Sequence, residues 1–88
     1  MKFIMKGIEA IVWFNEEGDI SPIRFKIKGE ESNLDMIINV DRIIKKSKER
    51  YAGNTMIVFE CQSQISDTLK RYQLKYEVEK QKWFLYKM

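Results

Sequence analysis

Strict alternation of apolar and polar residues is the feature that most constrains how this chain can fold. The clearest case is PIRFKIK at residues 22–28, where Ile23, Phe25 and Ile27 alternate with basic residues. In an extended strand, a period of two places all such apolar side chains on one face. The same period, carried by β-branched and aromatic residues, recurs at residues 8–14, 55–64 and 69–78. The sequence therefore predicts antiparallel strands that each bury one face.

Clusters of turn residues separate these strands and keep the connections short. They lie at residues 15–19, 29–33, 51–54, 65–67 and 79–81. The last segment, residues 82–88, is apolar on both faces and is predicted to be an edge or closing strand. Five to six strands predict an all-β fold, a small antiparallel SH3-like or OB-like barrel, in one domain over residues 1–88.

Residues 35–46 fit two different structures. As a strand, they place Met36, Ile38 and Val40 on one face, whereas as a helix they begin an apolar stripe from Val40 to Tyr51. β-branched residues dominate the segment, which favours a strand. A helical turn after Val40 is the alternative.

The apolar faces of the predicted strands supply the core. Its predicted members are Ile8, Val12, Phe14, Phe25, Ile27, Ile38, Ile57, Phe59, Leu74, Tyr76 and Leu85. Cys61 shares a face with Ile57 and Phe59, which is typical of a small buried hydrophobic residue. The sequence leaves open whether Trp13 is buried, because it alternates with Phe14 on the opposite face of its strand.

Cysteine and histidine counts limit the chemistry of the chain. There is one cysteine, Cys61, and no histidine. One thiol cannot form an internal disulfide, so a cytoplasmic protein is expected. A Cys/His zinc site and the most frequent catalytic base are both missing. We therefore expect a protein without enzyme activity, cofactor or metal.

The first fourteen residues resemble a signal peptide only in composition. They combine lysine with apolar residues, but Lys6 and Glu9 interrupt the apolar run and no small-residue cleavage site follows. No apolar run in the chain approaches the roughly 20 residues of a membrane-spanning helix. We expect no membrane partner.

Charge is distributed unevenly along the chain. Residues 1–35 hold five basic and seven acidic residues, whereas residues 36–88 hold eleven basic and six acidic residues. The local excess lies mainly in Arg42, Lys45, Lys46, Lys48 and Arg50. Basic side chains on one surface neutralise phosphates, and Tyr51 beside them offers a ring for stacking on a base. These six residues predict weak, non-specific binding of a nucleic-acid backbone, which Lys70, Arg71 and Lys75 would extend.

Other interpretations of the basic residues and of the aromatic residues compete with nucleic-acid binding. Lysines on an exposed strand also prevent edge-to-edge aggregation. The aromatic residues chiefly fill a small core, but they can also line a groove for a peptide. The alternative function is therefore a protein–protein interaction module that uses an aromatic groove or the open edge of residues 82–88. Both functions describe a non-catalytic binding module, and the oligomeric state stays open.

Three segments carry a resemblance to known proteins. They are SPIRFKI at residues 21–27, RYAGNTMIVFECQS at residues 50–63 and LKYEVEKQKWFLYKM at residues 74–88. In these segments the chain resembles a family of short, uncharacterised bacterial proteins of the clostridial type. The resemblance covers most of the chain from residue 8. It implies an SH3-like small β-barrel, and it implies no activity and no functional residues.

Overall fold

Seven strands make up most of the structure. The structure is a computed structural model that describes residues 3–29 and 34–88. It describes all side chains in these ranges except those of Phe3, Ile4 and Tyr51. The strands are β1 (Phe3–Phe14), β2 (Ile20–Ile27), β3 (Met36–Asn39), β4 (Arg42–Tyr51), β5 (Asn54–Ile65), β6 (Thr68–Glu77) and β7 (Lys82–Lys87). Every strand pairing is antiparallel. The described residues form no helix, and hence none that could cross a membrane. The predicted all-β class is confirmed.

The order of the strands explains the shape of the sheet. Across the sheet the order is β3-β2-β1-β7-β6-β5-β4, so the consecutive strands β3 and β4 lie at opposite edges. The chain from Asn39 to Arg42 spans at most about 11 Å. The sheet must therefore curl until its two ends approach, and β3 contacts β5. The result is a half-barrel whose inner face encloses the core. We call the opposite face of the sheet the outer face.

The core on the inner face contains most of the residues that the sequence predicts. Its buried members are Ile20, Phe25, Ile38, Phe59, Cys61, Tyr72, Leu74, Trp83 and Leu85. Five further predicted residues pack against it and are partly buried: Ile8, Val12, Ile27, Ile57 and Tyr76. Phe14 is a wrong prediction, because its side chain is 58% exposed. The last residue of β1 that pairs with β7 is Ile8, so Phe14 lies on a part of β1 that extends beyond its neighbour.

A β-bulge shifts the alternation in β2. Ile11 pairs with Arg24 but Val12 pairs with Pro22, which leaves Ile23 as the extra residue. Pro22 is buried and Ile23 is exposed. The expectation that Ile23 shares the apolar face of Phe25 is therefore wrong, since the bulge exchanges the faces on its two sides.

Residues 35–46 contain parts of two strands rather than one. β3 ends at Asn39, the Val40 N–H donates to the carbonyl of Ile23 at 2.9 Å, and β4 then runs from Arg42 to Tyr51. The strand interpretation is confirmed over the helix, and the division gives seven strands instead of five or six. β7 lies between β1 and β6 and pairs with both. Of the two alternatives predicted for residues 82–88, the edge strand is therefore wrong, and the closing strand agrees with the structure.

Two hairpins close through two-residue turns at predicted positions. Ala52 and Gly53 join β4 to β5, and Ser66 and Asp67 join β5 to β6. All four residues have positive φ, between 48° and 82°. This is the requirement of type I′ turns, whose twist matches that of the flanking strands. The turns therefore fix the register of the β4–β5–β6 part of the sheet.

A buried hydroxyl group joins the two ends of the curled sheet. The Ser63 Oγ on β5 donates to the carbonyl of Asn39 at 2.6 Å, and lies 2.5 Å from the Tyr72 hydroxyl. Because the single proton of Ser63 is used on Asn39, the Tyr72 hydroxyl is the donor in the second bond. The Asp41 N–H donates to the same Oγ at 3.3 Å, and the Asp41 carboxylate accepts from the Gln64 N–H at 2.8 Å. We call Ser63 and Tyr72, with the chain at residues 39–41, the Ser63 clamp.

Replacing Ser63 should destabilise the fold more than replacing Tyr72. The Ser63→Ala variant leaves the Asn39 carbonyl and the Tyr72 hydroxyl without partners, which costs about 1–3 kcal/mol. The Tyr72→Phe variant leaves the Ser63–Asn39 bond in place and should cost about 0.5–1.5 kcal/mol. Urea unfolding of both variants measures the difference. Equal free energies of unfolding for the two variants would contradict the clamp.

Alkaline pH should weaken the fold through two buried groups. Burial raises the pKa of Cys61 to about 12 and the pKa of Tyr72 to about 12. The unfolded chain loses these protons at lower pH, so above about pH 9 it holds fewer protons than the folded protein. The free energy of unfolding should fall as pH rises from about 9 to about 12. Urea unfolding at each pH should show that the free energy of unfolding of Tyr72→Phe falls less above pH 10 than that of wild type. An identical fall in the two proteins would contradict a contribution of the Tyr72 phenol to the pH dependence.

Candidate functional site

The open edge strand β4 carries the basic residues that the sequence singles out. It pairs with β5 on one side and is the last strand of the sheet on the other. Its basic residues are Arg42, Lys45, Lys46, Lys48 and Arg50. All five are exposed. The fold thus places the whole cluster at a free edge of the sheet.

The pairing of β4 with β5 divides these five residues between the two faces. Lys46 lies opposite Phe59, Lys48 opposite Ile57 and Arg50 opposite Thr55. Residues directly opposite in a sheet share a face, and Phe59 and Ile57 belong to the inner face.

Arg42 and Lys45 lie on the other face of β4. They are opposite Gln62 and Glu60, on the outer face, and a bulge at Ile44 lets the two share that side. The expected single basic surface is therefore two surfaces, because side chains alternate along a strand. Tyr51 pairs with Asn54 through its backbone, and its side chain lies outside the described residues.

We call Lys46, Lys48 and Arg50 the inner basic row. The first two line a cleft of about 480 Å³ between β4 and the β1–β2 turn, together with Gly18, Asp19, Ile20, Ser47 and Ile57. The Lys46 Nζ lies 5.7 Å from the centre of the Phe59 ring, and the Arg50 Nε donates to the Thr55 Oγ1 at 3.5 Å. Within the described part of the chain, no carboxylate lies within ion-pair distance of the row. Its charge is thus available to an external anion.

The backbone of the inner basic row also points to solvent. Tyr51 and Asn54 flank a two-residue turn and so form a hydrogen-bonded pair across the strands. Counting back along β4, residues 46, 48 and 50 occupy the alternate positions, whose N–H and C=O groups point away from β5. The open edge therefore offers backbone donors beside the three cationic side chains.

The acidic residue of β4 is held on the opposite face. Glu49 lies opposite Met56 on the outer face, and its carboxylate accepts from the Lys75 Nζ at 3.1 Å. The Lys75 Nζ also lies 3.8 Å from the centre of the Tyr86 ring. Lys75 is only 8% exposed, whereas Glu49 is partly exposed. Glu49 therefore does not neutralise the inner basic row.

The residues expected to extend the basic surface do not join it. Lys75 is committed to Glu49, and the Arg71 Nε lies on the outer face and donates to Gln62 at 3.5 Å. Lys70 is exposed near the β5–β6 turn, opposite Ser63. The rings of Trp83 and Tyr76 lie close together, with their centres 4.9 Å apart. Trp83 is buried, however, and stacks on Phe59, so it offers no free face to a base.

The described residues give little support to catalysis by a cysteine nucleophile or to a metal site. The Cys61 thiol is fully buried, its pKa is raised to about 12 by burial, and it donates to the Phe59 carbonyl at 3.7 Å. A thiol in this state is a poor nucleophile. Among the residues that the structure describes, no three Cys, Asp or Glu side chains are grouped as metal ligands.

A second surface was not predicted by the sequence analysis. Ile11 and Trp13 on β1 and Ile37 on β3 are exposed on the outer face. The signal was present in IEAIVWF, residues 8–14, because a strand that is apolar at consecutive positions cannot bury both faces against one core. Only the structure shows which face is covered.

Comparison of the chain with protein-family models, with curated proteins and with solved structures gives no match. The resemblance to short bacterial proteins therefore stays an expectation. Function has to be argued from the geometry of the surface.

Breaking the Glu49–Lys75 pair should show that it is structural. Glu49→Gln leaves a nearly buried ammonium without its carboxylate and should cost about 1–3 kcal/mol, since Glu49 is partly exposed and water screens some of the loss. Lys75→Met keeps the aliphatic stem, removes the buried charge and should cost less. Urea unfolding measures both. A larger loss for Lys75→Met than for Glu49→Gln would contradict this account.

Proposed function

We propose that this domain is a non-catalytic module that binds the backbone of single-stranded nucleic acid, weakly and without sequence preference. The inner basic row, Lys46, Lys48 and Arg50, would make the contacts. One observation carries the proposal: three cations, without acidic partners among the described residues, lie at alternate positions on one face of an open edge strand. Phosphate contacts of this kind position a chain without reading its bases.

The spacing of the row suits a linear polyanion. Alternate residues on a strand are about 6.6 Å apart, which is similar to the separation of successive phosphates in an extended single strand. The free N–H groups of the same three residues add donors for phosphate oxygens, and backbone N–H groups are frequent phosphate ligands.

The position of the row favours a single strand over a duplex. Lys46 and Lys48 face a cleft between β4 and the β1–β2 turn rather than a flat surface. A single extended chain can enter such a cleft, whereas a rigid duplex would contact only the rim. Asp19 is the acidic residue among those that line the cleft, and its carboxylate accepts from the Asn15 side chain at 3.4 Å.

The finer fold identity is also a proposal. A curled antiparallel sheet with a basic edge supports the SH3-like or OB-like barrel that the sequence predicts, and OB-like domains hold single strands in basic grooves. This is an analogy of fold and carries no residue-level argument. The alternative function, a protein–protein interaction through the open edge of residues 82–88, would need another edge of the sheet. The expected edge is occupied, because β7 pairs with β1 on one side and β6 on the other.

Binding should depend on the inner basic row and not on net charge. Wild-type protein should bind a labelled oligonucleotide at low salt and lose affinity as salt rises, with a slope of about −0.7 per phosphate contact, or about −2 for three contacts. The variant Lys46→Ala, Lys48→Ala, Arg50→Ala should remove most of this dependence. The matched control variant, Arg42→Ala, Lys45→Ala, Lys80→Ala, removes the same amount of charge at other positions. This control should keep the salt dependence of wild-type binding. Fluorescence anisotropy measures both, and thermal unfolding confirms that both are folded.

Three outcomes would overturn the proposal. The first is no binding by folded wild-type protein at low salt, and the second is an equal loss in the two triple variants. The third is stronger binding to a polyglutamate peptide than to an oligonucleotide of equal charge, which would assign the edge to an acidic protein strand.

A further inference from the structure

The outer face of the β1–β2–β3 part of the sheet carries an apolar surface that the proposed function does not use. Ile11, Trp13 and Ile37 are each more than half exposed, and Trp13 is 64% exposed. Single exposed apolar residues are ordinary, and Arg24 and Lys26 of β2 lie between Ile11 and Ile37. The three residues therefore surround a cleft rather than forming one continuous apolar patch. We call these three residues the outer patch.

The outer patch has a protruding and a recessed part. Trp13 lies near the end of β1, opposite Ser21. Beside it is a cleft of about 280 Å³, lined by Ile11 and Ile37 with Glu9, Arg24 and Lys26. Ala10 and Phe25 also line it, and since their side chains belong to the inner face, their main chain forms the floor. A cleft of this size has room for an indole ring, and Trp13 is the nearest exposed one.

The charged side chains around the outer patch are of both signs, three basic and two acidic: Arg24, Lys26, Lys28, Glu9 and Asp35. Glu9 lies 3.5 Å from the Lys26 Nζ and 3.7 Å from the Lys28 Nζ, and Asp35 lies 3.8 Å from the Lys26 Nζ. Arg24 is held in place by its Nε, which donates to the Asn39 Oδ1 at 2.8 Å. A rim of both signs neither attracts a polyanion nor repels a surface of the same composition.

From these observations we infer that a second copy of this chain docks on the outer patch, so that Trp13 of each copy occupies the Ile11–Ile37 cleft of the other. A two-fold contact requires one surface that is complementary to itself, and the patch carries both a protruding ring and a recess. The Arg24 guanidinium at the rim of the cleft adds a cation–π contact to the inserted ring. A buried tryptophan in a pocket is the usual energetic centre of an interface.

The edges of the sheet are less suited to contact between copies. Two copies joined along β4 would bring the inner basic rows together, and like charges directly opposite each other are destabilising. At the other edge, the Asn39 carbonyl of β3 is already bonded to Ser63. Since the outer patch is on the opposite face from the inner basic row, a dimer leaves the row accessible.

Sedimentation velocity over a range of protein concentrations tests the dimer. Wild-type protein should show reversible dimers whose fraction rises with protein concentration. Trp13→Ala should weaken association at least tenfold. Leu69→Ala is the matched control, since Leu69 is 65% exposed on β6 at a distance from the patch, and it should associate like wild type.

Two further measurements make the test specific. Ile37→Glu places a charge in the cleft and should also abolish the dimer while leaving the fold intact, since Ile37 is exposed. The fluorescence of Trp13, measured in a Trp83→Phe background, should shift to shorter wavelength as dimers form. A monomer at every concentration, or association of Trp13→Ala and Ile37→Glu equal to wild type, would overturn the inference.

Discussion

The hydrogen bonds of Ser63 are the interaction on which the shape of the sheet depends. Five of the six connections between consecutive strands join neighbours in the sheet, but β3 and β4 lie at opposite edges, and only a short crossing connects them. Ser63 binds the carbonyl of Asn39 at that crossing, and Tyr72 completes its hydrogen bonding from the next strand. Buried polar groups stabilise a fold only when all of them are paired. A small set of hydroxyl and amide groups thus holds the crossing against β5 and stabilises the half-barrel that the short crossing imposes.

The position of this closure explains why the candidate site is open. The clamp holds the crossing at residues 39–41 against β5, near one end of β4. Along the rest of β4, no described strand other than β5 pairs with it. Lysine and arginine are tolerated there because their charged ends remain in water. They also protect the edge from pairing with another strand. A basic edge is therefore useful to the fold itself, and phosphate binding would be an additional use of the same side chains.

Two surfaces with different chemistry arise from one curled sheet. Lys46 and Lys48 of the inner basic row face a cleft, and no carboxylate of the described residues pairs with the row. The outer patch instead combines exposed apolar side chains with charges of both signs. The first suits an anionic chain and the second suits a neutral, apolar partner. Because the surfaces lie on opposite faces and on separate strands, occupation of one does not block the other.

The sequence by itself determined the all-β class, most strand positions, both two-residue turns and most of the core, since these follow from local alternation and turn chemistry. Phe25, Phe59 and Leu85 were identified in this way. It could not divide residues 35–46, place β7 in the middle of the sheet or detect the bulge that exposes Ile23, because each depends on which strands become neighbours. The cluster from Arg42 to Arg50 was visible as a run of charge, but only the pairing with β5 decided that Lys46 faces inward and Lys45 outward. Neighbouring residues on a strand point to opposite faces, so a charge cluster in sequence becomes a surface only once the register is fixed.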